Sequence, residues 1–173
     1  MTLPWRKDSP AQPNEADIAD LLQRFDAAKL EPARWTHLAH LAVGAALIRR
    51  LGYLDACRAI PGRIWRLNEA SGVPNSDTRG YHHTVTMAFL WGVSRALAAQ
   101  PADLPLAQLV ERMAGTALAT KQFPLAHYGF ERLWSAEARR GWVAPDLAPM
   151  DGVDAATAAV FVAAAPERAQ AAA

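Results

Sequence analysis

From Asp17 onward the chain repeats its apolar positions with a helical period. Ile18, Leu21, Leu22 and Phe25 fall at i, i+3, i+4 and i+7, one face of a helix that starts at Asn14 or Glu15. A second helix is expected from near Pro32, a good first-turn residue, to Leu51, with Gly52 as a natural stop. A third spans Tyr53 to Ser71, where Pro61 must kink it or split it, because proline deletes a helix hydrogen bond and clashes with the preceding turn. After the loop over residues 72–77, a fourth helix runs from about Thr78 or Gly80 to Gln100. A fifth runs from after Pro105 to about Thr120, and a sixth covers Leu125 to Gly141. No segment alternates apolar and polar residues as a half-buried strand would. The pattern predicts an all-α, single-domain bundle of five to six helices. Its parts are a loose, proline-rich arm over residues 1–14, a helical domain over 15–150, and an Ala-rich tail over 151–173. For that tail a frayed helix and disorder are both open.

Composition narrows the function classes. With 173 residues, 51% hydrophobic and 20% charged, the chain suits one domain with a proper core and does not suit a disordered segment. The net charge of +1 gives no global field toward nucleic acid or an anionic membrane. A mild excess of arginine between Arg49 and Arg95 comes with no helix-turn-helix spacing, so DNA binding is not expected. The longest apolar stretch, Leu38 to Ile48, is far shorter than the roughly 20 residues of a membrane span. The polar N-terminus carries no apolar h-region, and the lone Cys57 cannot form an internal disulfide, so a cytoplasmic location is expected.

The chemistry then rests on five histidines, which are unevenly spread. His37 and His40 are three apart on the second helix, on a face that continues through Gly44, Leu47 and Ile48. His82 shares a stripe with Thr86, Phe89 and Val93 at i, i+4, i+7 and i+11, while His83 is rotated by about 100° from it. One inward histidine is most often a core residue bonded to a carbonyl or hydroxyl. Three in one small core ask for a common reason. Helical bundles build metal sites from inward side chains of facing helices, and three protein ligands with an open position describe a catalytic centre. The expectation is a small metal-dependent enzyme. Its mononuclear site would hold one divalent transition metal, iron or zinc, on His37, His40 and His82. The acidic ligands and the E-x-x-H motif of di-iron bundles are missing.

Around that centre, His83, Tyr81 and Thr84 are the candidate catalytic residues, with His83 as a fourth ligand or a general base. Trp35, Asn68, Thr86 and Arg132 are the candidates for binding a small, partly apolar substrate. Two alternatives stand beside this: a non-catalytic helical binding module with core histidines, and a metal-free histidine acid–base enzyme. No nucleic-acid or membrane partner is expected, and a homodimer is an open expectation.

A set of short motifs adds one observation. The order Trp35-Thr36-His37-Leu-Ala-His40-Leu41, Asn68-Glu69-x-x-Gly72, Gly80-Tyr81-His82-x-Thr84, Arg132-Leu133-x-Ser135 and Trp142-Val143-x-Pro145-Asp146-Leu147 resembles an uncharacterised family of small bacterial helical proteins. The resemblance covers about residues 18 to 149. It implies a helical fold and no particular activity. In that family's pattern the residue after the GYH histidine is usually glutamate, and here it is His83, which bears on what His83 can do.

Overall fold

The computed structural model describes Trp5 and residues 12–167. Among the described residues the fold is all-helical, with no strands. Its helices are α1 (Glu15–Asp26), α2 (His37–Leu51), α3 (Tyr53–Ala70), α4 (His83–Ala98), α5 (Leu106–Ala114), the short α6 (Phe130–Leu133) and α7 (Ala136–Arg140), and α8 (Ala155–Ala163). Six of the eight are longer than one or two turns, as a bundle of five to six helices requires, and two short ones are added. No described helix is long and apolar enough to cross a membrane.

The start of α1 follows from local chemistry. The Asn14 side chain accepts from the Asp17 backbone N–H at 3.0 Å and the Asp17 carboxylate accepts from the Asn14 N–H at 2.9 Å, a reciprocal capping box. Ile18, Leu21 and Phe25 then turn inward. The central element is α2. Every residue from Leu41 to Ile48 is buried, and the helix packs against α1, α3, α4 and α5. Each large apolar side chain buried there contributes roughly 1.5–3 kcal/mol of transfer free energy.

Several boundaries differ from the periodicity, each for a local reason. The helix expected from Pro32 breaks. Pro32–Arg34 form a single 3-10 turn, and α2 starts afresh at His37 because the Thr36 hydroxyl accepts from the Ala39 N–H. The fourth helix begins at His83 rather than at Thr78 or Gly80, with the His82 ring capping it through the Val85 N–H. Gly80 itself is in the left-handed region (φ 77°), and a Cβ there would lie 2.3 Å from the Pro74 carbonyl oxygen. The fifth helix stops at Ala114. The expected sixth helix is divided into a 3-10 turn over Phe123–Ala126, α6 and α7, because Ser135 caps a new start by accepting from the Ala138 N–H.

Of the two outcomes expected at Pro61, a kink or a split, the split does not occur. The helix is continuous from Tyr53 to Ala70, and its lost hydrogen bond is offset by the burial of Cys57, Ile60, Pro61, Ile64 and Leu67. The Ala-rich segment forms α8 over Ala155–Ala163, anchored by Phe161, which is fully buried and sits 4.7 Å from the Trp142 ring. Most of the expected arm over residues 1–14, and the end of the tail past residue 167, lie outside the described residues. Trp5 is buried and its indole N–H donates to the Asp17 carbonyl.

Candidate functional site

Between the N-terminal halves of α2 and α4, with α3 behind them, lies a cavity of about 740 Å³. That is within the size range of sites for small molecules. Three of the histidines line it, His37 and His40 from α2 and His82 from the N-cap of α4, as do Trp35, Asn68, Tyr81 and Thr86. The stripe expected from periodicity (His82, Thr86, Phe89 and Val93) forms one wall, and Leu41, Val43 and Gly44 continue the other.

The ring nitrogens of these histidines have well-defined partners. A carbonyl can only accept, so the nitrogen facing it carries the proton. His40 Nδ1 donates to the Thr36 carbonyl at 2.7 Å, which leaves Nε2 as the acceptor. His37 Nε2 donates to the Leu118 carbonyl at 2.6 Å, which leaves Nδ1 as the acceptor. His82 Nε2 donates to the Leu133 carbonyl at 2.9 Å, and its Nδ1 already accepts the capping bond from Val85. Burial holds all three neutral. It brings His40 down to about 4 against the help of the Thr36 carbonyl. His82 also falls to about 4, by burial first and the nearby Arg139 charge second. His37 is lowered by burial and, more weakly, by Lys121.

Aromatic rings set the orientation of the first pair. Trp35 stacks on His40 with ring centroids 3.7 Å apart and on Phe25 at 5.1 Å, so the imidazole is the third ring of a stack rooted in α1. His37 meets the Phe89 ring edge-on at 4.8 Å. Just before Trp35, Arg34 is buried and bonds Asp20 at 2.7 Å. That hydrogen bond, ahead of one from Arg24, holds the Asp20 carboxyl below its usual range.

The other expected site residues separate into those that reach the cavity and those that do not. Asn68 lines it, and its amide N–H donates to Asn75 Oδ1 at 2.8 Å; the same oxygen accepts the Tyr81 N–H at 3.0 Å, which ties the 72–80 loop to the end of α3. Thr86 lines it but bonds back to the His82 carbonyl at 2.8 Å. Tyr81 contributes its ring, while its hydroxyl donates to His83 Nδ1 at 2.9 Å.

His83 points away from the cavity. Its Nε2 donates to the Phe161 carbonyl at 2.7 Å, and both of its nitrogens are satisfied in a fully buried setting. Thr84 is also fully buried: it donates to the Gly141 carbonyl at 2.8 Å and accepts from the Val143 N–H at 3.1 Å. Arg132 is exposed and donates to the Ala144 carbonyl. His83, Thr84 and Arg132 thus fasten α8 and the 141–144 segment to the bundle and do not line the cavity. Cys57 is fully buried in α3, and burial pushes its thiol up to about 12, so it is a small protonated core residue.

A metal ion needs several donor atoms around one point. Among the described residues no group of three or more His, Cys, Asp or Glu side chains could hold one. His37 and His82 turn their Nε2 atoms to carbonyls on different segments, and His82 Nδ1 serves the helix. Each of His37, His40 and His82 thus has a backbone carbonyl partner of its own.

Sequence reading did not find Lys121, Thr36 or Trp134, all of which line the cavity. Only Thr36 left a trace, as a capping residue three before Ala39. Compared with protein-family models, with curated proteins and with solved structures, the chain gives no match in any of the three.

Proposed function

We propose that the protein is a metal-free binding module for a small, partly apolar molecule held in the histidine-lined cavity. The observation that carries this reading is the pairing of two neutral imidazoles, His37 and His40, each with one ring nitrogen left to accept, with an otherwise largely apolar wall. Such a pocket takes a ligand with a hydrocarbon or aromatic body and a hydroxyl or N–H donor. Binding is favoured over acid–base catalysis by the basicity of the rings. A general base works best with a pKa near the operating pH, and His40 at about 4 is a poor one at neutral pH.

The test is a thermal-shift and titration series with 1,10-decanediol and indole, on wild type and on Thr86→Trp, whose ring fills the cavity. Stabilisation of the wild type that is lost in the folded Thr86→Trp variant is the expected result. No binding, or equal binding by both proteins, would sink the reading. The metal content of protein purified without a nickel column is the companion measurement. A near-stoichiometric metal that disappears in His37→Ala would restore the metal-dependent alternative.

A further inference from the structure

We infer that the ligand of this cavity is an amphipathic monocarboxylate, its acid group at Lys121 and its body along the apolar wall. The inference rests on the reading just given and names the ligand class for the same site. Among the side chains that line the cavity, Lys121 alone belongs to a type that is always charged at neutral pH, and no aspartate or glutamate lines it. Lys121 forms no ion pair among the described residues, so its ammonium is available to a ligand. It follows the 3-10 turn over Ala117–Ala119 whose Leu118 carbonyl anchors His37, and this puts the cation at the His37 end of the cavity. Burial is the main cause of the lowered His37 and His40, and the smaller lowering that the Lys121 charge adds to both is in keeping with that proximity.

The chemistry selects among ligands. A cationic ligand would meet an ammonium and no compensating carboxylate, which costs affinity through like-charge repulsion. A polyol would leave most of its hydroxyls against Leu41, Val43, Leu90 and Val93 without partners. A single ammonium matches one negative charge, so a carboxylate fits better than a dianionic phosphate. The apolar wall takes the body, and the free Nδ1 of His37 and Nε2 of His40 accept from a hydroxyl or N–H on it.

A matched trio of probes tests this by calorimetry: 10-hydroxydecanoate, 1,10-decanediol and 10-amino-1-decanol share a body and one hydroxyl and differ only at the other end. The wild type should bind the acid about tenfold or more tighter than the diol, as expected for one charge-assisted contact, with the amine weakest. Lys121→Gln should abolish the preference for the acid over the diol, and Lys121→Arg should restore it. Equal affinity for acid and diol in the wild type, or a preference that survives in Lys121→Gln, would overturn the carboxylate inference while the cavity reading stands. Failure of all three probes to bind the folded wild type would overturn both.

Discussion

The chain uses two pairs of neighbouring histidines in opposite ways. His82 and His83 are adjacent at the start of α4, and all four of their ring nitrogens are engaged within the protein, by Leu133, Val85, Phe161 and Tyr81. His37 and His40, at the start of α2, each spend one nitrogen on a carbonyl and keep the other. All four are lowered by burial, so all four are neutral. What separates the pairs is therefore spare hydrogen-bonding capacity rather than charge state. A satisfied buried imidazole is a fastener, and one with a spare nitrogen beside a cavity is a contact offered to a ligand.

Acid should act on both pairs at once and give the largest effect. A histidine whose pKa is depressed in the folded state leaves the unfolded chain binding more protons, so its stabilising contribution is present above about 6.5 and is lost as pH falls. For His40 and His82, with folded values near 4, stability should decline as pH drops from about 6.5 to about 4, and their share of the decline should end there. Denaturant unfolding at stepped pH reads this. A flat profile across that window would show that the imidazoles are not buried neutral.

Next in size is His83→Leu, which removes the His83 bonds of the Tyr81 hydroxyl and the Phe161 carbonyl in a buried site. Each buried group that loses its bond costs about 1–3 kcal/mol, so a loss of about 3 kcal/mol is expected in chemical denaturation, with probe binding in the cavity retained by the folded fraction. His82→Ala removes a helix cap and the tie to Leu133, for about 1–2 kcal/mol. It should also flatten part of the acid slope. The smallest stability change is expected from His40→Phe, which keeps a ring against Trp35 and gives up the bond to the Thr36 carbonyl, about 1 kcal/mol. That variant should nevertheless bind 1,10-decanediol about tenfold more weakly. If His83→Leu weakened binding and His40→Phe did not, the roles assigned to the two pairs would be reversed.

Much of one cavity wall was legible in the sequence. The spacing of His82, Thr86, Phe89 and Val93 is a property of helix geometry, and it survives an error of a few residues in where the helix starts. The same holds for His37, His40 and Gly44. The start itself was not legible, because His82 caps α4 through its own ring, a role usually filled by Ser, Thr, Asp or Asn. The use of His83 was equally hidden. Its carbonyl partner lies 78 residues away in an Ala-rich segment whose composition suggested nothing that would pack.

Lys121 was missed for a related reason. It sits in a turn with no periodicity, and long-range packing of the preceding 117–119 turn on α2 and α4, including the bond from His37 to the Leu118 carbonyl, brings it to the cavity. The expectation of a metal site turns on a finer point. Spacing indicates which residues face inward, but the direction of each ring nitrogen depends on carbonyls contributed by distant segments.

The central claim, spare nitrogens in one pair and none in the other, is read most directly by long-range 1H–15N NMR of the imidazole rings, with and without 10-hydroxydecanoate. Neutral rings protonated at His40 Nδ1 and at Nε2 of His37, His82 and His83 are predicted at pH 7. On addition of the probe, the shifts should fall on His37 Nδ1 and His40 Nε2, while both nitrogens of His83 stay in place. Perturbation of His83 with no response from His37 or His40 would contradict the account.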